Sequence, residues 1–246
     1  MNVIPSIVTA ETGYVGIRLP SSEIAQKLIS YAQTPICAPS ANKFAHISPT
    51  SSVHVFNDLY DKELAILDGP STNFGIESTV AKLIKDETTG TRGVFVLRHG
   101  SIPASKIREL VSRDERFSDV AVFEKDIEQT TSITKHAEAP GQLLKHYCPN
   151  ITTYLLEMAA DGGNSMEIEN ELVFDKDKTV IIDFNKSLKD LFSNPNKADW
   201  EVKKYLDLSP NGDIVEAMKN LYAYLREAEM VEGATAIYMV GKNRLL

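Results

Sequence analysis

Residues 35–50 read P-I-C-A-P-S-A-N-K-F-A-H-I-S-P-T and form the most informative stretch of the chain. Two proline–serine turns, Ala38–Asn42 and Ile47–Thr50, stand close together here and lead into a helical pattern. We predict a short strand over 35–38 and a helix that Ser48 caps and Pro49 begins. A helix start offers unpaired N–H groups and the positive end of the helix dipole, which suit phosphate. The two turns together therefore indicate a phosphate or nucleotide site, although each turn taken alone more often has a plain structural role.

Composition indicates a globular protein with a substantial core. The chain has 246 residues, of which 43% are hydrophobic and 24% are charged. Its formal net charge is −8, and a free-standing nucleic-acid binder needs a surplus of Lys and Arg to neutralise phosphates. The acidic net charge argues against a free-standing nucleic-acid binder, although an acidic protein can still contain a local basic cavity.

Cysteine usage and the absence of a membrane signal predict a cytoplasmic protein. Cys37 and Cys148 have no metal-ligand spacing, and we expect two reduced thiols, with a disulfide left open. No apolar run reaches the length of a membrane span, and the N-terminus lacks the pattern of a signal peptide.

Hydrophobic periodicity predicts an α/β protein in three parts. In the first part, residues 1–111, we predict strands over 14–19, 81–84 and 94–98 and helices over about 22–33 and 103–111. The helix stripes Ile24, Leu28, Ile29 and Ala32, and Ile107, Leu110 and Val111, are expected to face inward. Residues 112–149 are polar and predict a linker that ends in a loop over the site.

Residues 150–246 predict a small three-layer α/β domain. Strands are expected over 151–156, 179–184, 206–209 and 234–240, and the run T-V-I-I-D-F is typical of a buried parallel strand. Asp213 is expected to cap an amphipathic helix that runs to Glu227, with Ile214, Met218, Leu221, Tyr222 and Leu225 on its apolar stripe.

Further motifs carry side chains suited to binding anions. Arg18 and Arg98 each end a predicted strand, and an arginine fork suits carboxylate or phosphate, although a solvated or paired arginine is the commoner case. Residues 75–80, G-I-E-S-T-V, place hydroxyls after a permissive glycine, which alone also describes a simple turn. The sequence has no Walker A motif, G-x-G-x-x-G run, H-E-x-x-H or C-x-x-C.

The order of the motifs resembles one family closely. The series runs R-L-P (18–20), A-P-S-A-N (38–42), S-P-T (48–50), L-D-G (67–69), G-I-E-S-T-V (75–80), L-R-H-G (97–100) and A-P-G…H-Y-C-P (139–149). It is similar to the YrdC-type threonylcarbamoyl-AMP synthases in their long form, and Y-L-D-L-S-P-N-G-D resembles their C-terminal domain. The implied fold is a YrdC-like twisted mixed sheet with helices, here incomplete, followed by a small Rossmann-like α/β domain.

The resemblance implies a nucleotidyltransferase. The family converts L-threonine, bicarbonate and ATP into threonylcarbamoyl-adenylate and pyrophosphate, for threonylcarbamoyladenosine formation in tRNA. ATP and Mg²⁺ are thus expected, with no ligand residue for the metal identified. Implied partners are the downstream tRNA threonylcarbamoyl-transfer machinery and, as an option, RNA itself.

The resemblance also implies roles for individual residues. Arg18, Ala38 and Ser78 are expected to bind L-threonine, and Ser40, Ser48, Arg98 and His146 are expected to bind ATP, with His146 closing over the nucleotide from the 139–149 loop. No catalytic side chain is assigned, because positioning and charge stabilisation suffice for this chemistry. The remaining histidines, His46 among them, are treated as incidental.

The sequence departs from the family pattern at its start. The family carries a long segment before R-x-P, with basic residues that bind the triphosphate, and we expect that N-terminal part of the catalytic domain to be missing here. Poor ATP binding and impaired catalysis by this chain are the consequence expected. The alternative function is a non-catalytic nucleotide- or RNA-binding regulatory module derived from the same fold.

Overall fold

The computed structural model describes residues 4–9, 11–85, 90–124, 147–157, 175–189 and 202–241. Its helices are α1 (Glu23–Ala32), α2 (Ser52–Leu59), α3 (Ala104–Ser112) and α4 (Ile214–Glu229). Its strands are β1 (Val80–Lys85), β2 (Arg92–Arg98), β3 (Val120–Glu124), β4 (Thr152–Glu157), β5 (Thr179–Asp183), β6 (Lys204–Asp207) and β7 (Ala236–Gly241). These strands form two sheets, so the predicted α/β class is confirmed.

The first sheet has three strands in the order β1-β2-β3. β1 and β2 pair antiparallel, from Lys85 opposite Arg92 to Val80 opposite Arg98, with a register shift after Val80. β3 adds parallel to the other side of β2. Arg98 therefore ends the central strand, beside the irregular start of β1.

The second sheet has four parallel strands in the order β4-β7-β5-β6. Every residue of β5 is buried, as expected of a continuous apolar strand that is covered on both faces. Helix α4 packs against this sheet, and its Ala217, Tyr222, Leu225 and Ala228 join Val180, Ile182 and Ile237 in one core. The same core includes Ile47, which is fully buried although it belongs to the 35–50 stretch.

The predicted cap of α4 is confirmed. Asp213 accepts hydrogen bonds from the backbone N–H groups of Val215 (2.8 Å) and Glu216 (3.4 Å), which would otherwise lack intrahelical partners. The helix runs two residues beyond the predicted end, and Ile214 is 54% exposed, outside the buried stripe. β6 begins and ends two residues earlier than the predicted strand.

Two predicted strands near the N-terminus are wrong. Within the described part of the chain, residues 14–19 and 35–38 make no β-ladder, and Ile17 and Leu19 are about 90% exposed. An alternating pattern becomes a strand only when a neighbouring strand supplies hydrogen bonds, and no described segment pairs with either stretch.

Helix α1 lies where predicted, but its apolar stripe is not buried as expected. Ser22 caps it by accepting from the N–H of Ala25, and it ends before Gln33 in a left-handed conformation. Ile24, Leu28 and Ile29 remain 36–45% exposed, because no described element covers this face.

The helix predicted after Ser48 begins three residues later. Ser51 is the N-cap of α2 and accepts from the N–H of His54, so Ser48 and Pro49 lie in the preceding coil. Serine at 48 and serine at 51 both satisfy the capping pattern, and sequence alone does not choose between them.

Residues 112–149 are not wholly a linker. β3 lies inside this stretch and pairs with β2, while residues 125–146 fall outside the described ranges. The apolar run V-A-V-F was too short to signal a strand by periodicity. In α3, Leu110 is 55% exposed rather than inward. None of the described helices combines the length and apolar composition needed to cross a bilayer.

Substitution of the α4 cap tests how much this helix contributes to stability. Asp213→Ala removes the acceptor of two N–H groups, and we expect the free energy of unfolding to fall by about 1 kcal/mol. Asp213→Asn keeps an acceptor and should cost clearly less. Urea unfolding followed by circular dichroism measures both, and equal losses in the two variants would contradict the capping role.

Candidate functional site

Arg98 and the 77–78 backbone form the centre of the candidate site. Arg98 donates from Nη2 (2.8 Å) and Nε (3.1 Å) to the Ser78 carbonyl, and Nη2 also lies 3.3 Å from Ser78 Oγ. The Glu77 carboxylate is 3.6 Å from Nη2, and the Arg98 side chain is only 11% exposed. The guanidinium therefore holds the G-I-E-S-T-V segment against the end of β2.

The glycine after Arg98 explains how the segment comes so close. A Cβ on Gly100 would collide with the backbone at Glu77, Ser78 and Thr79. Ser101 donates its N–H to the Glu77 carbonyl (3.2 Å), and Thr79 Oγ1 donates to the Ile102 carbonyl (2.6 Å). The turn after β2 and the residues before β1 thus form one unit, and Gly100 is required for their contact.

Arg18 reaches the same serine from the N-terminal coil. Its Nη2 lies 3.4 Å from Ser78 Oγ, in an exposed contact. Two guanidinium groups therefore meet at one hydroxyl. Such an arrangement suits an anionic group such as a carboxylate or phosphate, which arginine forks bind well.

Ser48 enters the site through Glu77. Its hydroxyl donates to Glu77 Oε1 at 2.5 Å, and the carboxylate links it to Arg98. Tyr147 closes the other side, because Arg98 Nη1 donates to its hydroxyl at 3.3 Å. Ser48, Glu77, Arg98 and Tyr147 thus form a connected polar group.

A buried ionic cluster lies directly behind Ser48. Arg226 of α4 contacts Asp58 of α2, with Nη2–Oδ2 at 2.8 Å and Nη1–Oδ1 at 3.3 Å. His46 Nδ1 lies 3.0 Å from Asp58 Oδ2, and its Nε2 lies 2.7 Å from Glu229 Oε1. Their side chains are at most 7% exposed. We call these four residues, His46, Asp58, Arg226 and Glu229, the α4 ion cluster.

The α4 ion cluster holds the 46–58 segment on the second sheet and its helix. Cys148 donates its N–H to the Ala45 carbonyl (3.0 Å), and Asn150 donates its N–H to Glu229 Oε2 (2.9 Å). Lys43 donates its N–H to Asp58 Oδ2 at 3.3 Å. The stretch that the sequence singles out is therefore fixed from behind by C-terminal residues.

Burial and charge act in opposite directions on Asp58. Burial acts to raise the pKa of its carboxyl, but hydrogen bonds from Arg226 and His46 outweigh burial and hold the pKa below its ordinary value. Burial lowers the pKa of His54, and the Arg226 charge lowers it further. A neutral His54 ring is consistent with its Nδ1 accepting the N–H of Thr50 at 3.2 Å. Burial, and then the charge of Glu77, raise the pKa of Tyr147, so its hydroxyl keeps its proton at neutral pH.

The structure brings together four of the seven residues expected from the sequence. Arg18, Ser78 and Arg98 are in direct contact, and Ser48 joins them through Glu77. Ala38 and Ser40 lie in exposed coil, and in the described part of the chain no hydrogen bond joins either to those residues. His146 lies outside the described residues.

Sequence reasoning missed Glu77 and the α4 ion cluster. Glu77 lies inside the quoted G-I-E-S-T-V motif, and a carboxylate beside a serine could have been suspected. His46, set aside as incidental, lies at the centre of a buried network. Its partners are distant in sequence, and only the tertiary fold shows the pairing.

The site offers little for a dedicated metal centre. No group of three or more His, Cys, Asp or Glu side chains is placed to hold an ion in the ranges that the structure describes. Mg²⁺ commonly uses one or two carboxylates together with substrate phosphates. Glu77 is a carboxylate that fits this pattern, with the other ligands coming from a nucleotide.

Fold and site together define an α/β protein with an arginine- and hydroxyl-lined candidate site. Two family models match the chain. The model described as "Telomere recombination" matches residues 1–100, and the model "Threonylcarbamoyl-AMP synthase, C-terminal domain" matches residues 102–244. The chain therefore belongs to the threonylcarbamoyl-AMP synthase family, in its long form with a C-terminal domain.

Three relatives carry the name threonylcarbamoyl-AMP synthase. The Pyrococcus abyssi protein is 35% identical over 159 residues, which is 65% of this chain and 42% of the relative. The Schizosaccharomyces pombe protein is 30% identical over 232 residues, covering 92% of this chain and 53% of the relative. The Bacillus subtilis protein is 31% identical over 164 residues, covering 65% and 45%. The chain spans about half the length of these curated relatives.

Two solved structures share the fold. Pyrococcus abyssi Sua5 complexed with L-threonine has a TM-score of 0.66 at 24% identity and covers 99% of this chain and 63% of its own. A His-to-Ala, Tyr-to-Ala double variant of the same protein has a TM-score of 0.68 at 25% identity, covering 99% and 62%. The YrdC-like domain with a C-terminal α/β domain, expected from the sequence, is thereby confirmed.

The depressed pKa of Asp58 predicts an acid-dependent loss of stability. A folded-state pKa below the unfolded value of 3.8 gives stabilisation that is present at neutral pH and is lost as pH falls through the folded pKa. Asp58→Asn should lower stability at pH 6 and flatten the decline between pH 4 and 3. Urea unfolding across that range measures both effects.

The matched control is Asp61→Asn. Asp61 is exposed and pairs with its neighbour Lys62 on the surface, so its replacement should change stability less than Asp58→Asn at pH 6. Equal effects of the two variants would show that the α4 ion cluster contributes nothing beyond a surface pair.

Proposed function

We propose that this chain supplies the threonine- and nucleotide-binding part of a threonylcarbamoyl-AMP synthase. The observation that supports this most is the meeting of Arg18, Arg98 and Ser78, joined through Glu77 to Ser48. The reaction proposed for this chain converts L-threonine, bicarbonate and ATP into threonylcarbamoyl-adenylate and pyrophosphate, and the name threonylcarbamoyl-AMP synthase carried by its relatives supports it.

The proposed reaction asks the protein for positioning and positive charge. The threonine amine takes up CO₂ to form a carbamate, and a carbamate oxygen attacks the α-phosphorus of ATP. The bond from that phosphorus to pyrophosphate breaks, which leaves a mixed anhydride. Two anions must be held together while charge develops on the transferred phosphoryl group, and arginines and hydroxyls supply this without a protein nucleophile.

The roles proposed for individual residues follow this chemistry. Arg18 and Ser78, with the backbone at Ala38, would bind the threonine carboxylate and amine side of the site. Ser40, Ser48 and Arg98 would bind ATP, and His146, next to Tyr147, would close over it. Mg²⁺ would arrive with the triphosphate, and the Glu77 carboxylate could contribute one ligand.

Cellular context is part of the proposal. We place the protein in the cytoplasm, because two cysteines in a chain of 246 residues do not indicate a disulfide-stabilised scaffold. The product would pass to the machinery that transfers the threonylcarbamoyl group to tRNA. Direct RNA contact is a weaker option because of the net charge of −8.

The test is a single-turnover assay with the chain in excess over radiolabelled ATP, so that slow turnover is detected. We expect pyrophosphate and an adenylate product that both require L-threonine and bicarbonate. Binding of ATP with no response to L-threonine, in calorimetry and in the assay, would instead favour the non-catalytic nucleotide-binding alternative. Binding of neither ligand would contradict the proposal.

The two ends of β2 offer a matched pair of variants. Arg98→Lys should reduce product formation at least about tenfold, because lysine lacks the planar fork that holds Ser78 and meets the phosphates. Arg92→Lys, at the exposed start of the same strand, should leave the rate within about twofold. Equal rates of product formation in the two variants would contradict the proposed role of Arg98 in the site.

A further inference from the structure

One face of α4 touches three separate segments of the candidate site. Met218, Tyr222 and Arg226 are four residues apart and therefore lie on one side of the helix. The Met218 carbonyl accepts the N–H of Gly75 at 3.1 Å, and the Tyr222 ring stacks on Tyr147 with centroids 5.6 Å apart. Arg226 donates hydrogen bonds to the backbone carbonyls of Ile47 and Ser48.

Gly75 shows how close the first of these contacts is. A Cβ at this position would collide with the carbonyls of Met218 and Lys219. The G-I-E-S-T-V segment therefore rests directly on the backbone of α4, and only glycine permits that approach.

Arg226 makes the most extensive of the three contacts. Its Nη2 donates to the Ile47 carbonyl, its Nε lies 3.4 Å from the Ser48 carbonyl, and both Nη atoms contact the Asp58 carboxylate. The residue is 5% exposed, and Ile47 beside it is fully buried. Arg226 thus fixes the backbone on both sides of the peptide that leads into Ser48.

The position of that peptide sets the position of the Ser48 hydroxyl. Ser48 Oγ donates to Glu77 Oε1 at 2.5 Å, and Glu77 in turn lies 3.6 Å from Arg98 Nη2. A shift of the 47–48 backbone would therefore change the contacts of Ser48 and, through Glu77, of Arg98, which are two of the four residues assigned to the nucleotide. Ser78 is held mainly by Arg98 and Arg18, and it depends less on this peptide.

We propose that Arg226 of the C-terminal domain is a positioning residue for the nucleotide half of the site. It acts through Ser48 and Glu77 and touches no substrate itself. This inference rests on the proposed function, since it names which half of that site depends on α4. Helix α4 of the C-terminal domain then supports the site from behind, in addition to packing in its own core.

Replacement by lysine separates positioning from charge. Arg226→Lys keeps a cation for Asp58, but a single ammonium cannot contact the carboxylate and two carbonyls in a planar fork. Arg113→Lys is the matched control, because Arg113 is 67% exposed and pairs with Glu109 on the surface.

The first readout is the affinity for two ligands, measured by calorimetry with Mg-ATP and with L-threonine. We expect Arg226→Lys to weaken Mg-ATP binding about tenfold and L-threonine binding less than about threefold, because small misplacements of binding groups are costly. Parallel losses of both affinities, or no change in either, would overturn the proposal. Arg113→Lys should match the parent chain.

The second readout needs no ligand. Amide hydrogen exchange should become faster at residues 46–50 in Arg226→Lys, while residues 180–182 and 237–240 in the core of the second sheet stay protected. Uniformly faster exchange, or unchanged exchange at 46–50, would contradict the positioning role. If the parent chain binds neither ligand, the proposed function fails, and exchange still decides whether Arg226 fixes the 46–50 backbone.

Discussion

The buried contact between Arg226 and Asp58 is the interaction on which the rest of the candidate site depends. Burying two charges is costly, and the pair is favourable only because further hydrogen bonds satisfy both groups. The structure supplies these hydrogen bonds. His46 contacts the Asp58 carboxylate, and the carbonyls of Ile47 and Ser48 accept hydrogen bonds from the Arg226 guanidinium. The pair thus joins α2 and the 47–48 backbone to α4 through buried contacts.

This constraint explains why a motif in the first family model is fixed by residues of the second. Ile47 lies in the core formed by β5, β7 and α4, and Gly75 rests on the α4 backbone. Tyr147, which belongs to the 139–149 loop, stacks on Tyr222 of the same helix. The segments that would bind threonine and nucleotide are therefore supported from one helix face. Preorganisation of this kind is what a reaction with no protein nucleophile requires.

The C-terminal domain was largely predictable from sequence, and the N-terminal part was only partly so. Continuous apolar strands such as β5 and a capped amphipathic helix such as α4 carry local signals that tertiary contacts do not reverse. Residues 14–19 and 35–38 have sequence patterns that predict strands, but no described strand pairs with them. The helix predicted to begin after Ser48 is capped by Ser51 instead. Motif order identified the family and placed Arg18, Ser48, Ser78 and Arg98 together. The α4 ion cluster was invisible, because His46 and Arg226 are 180 positions apart in the chain and meet only in the fold.

The most direct test of this account is a double-mutant cycle on the Arg226–Asp58 pair, with unfolding free energies measured in urea at pH 7. Each single change, Arg226→Met and Asp58→Asn, removes one partner of the pair and should cost about 3 kcal/mol or more. The double variant should cost less than the sum of the two, with a coupling energy of at least about 1 kcal/mol. Additivity within about 0.5 kcal/mol would show that the two residues act independently and would contradict the account.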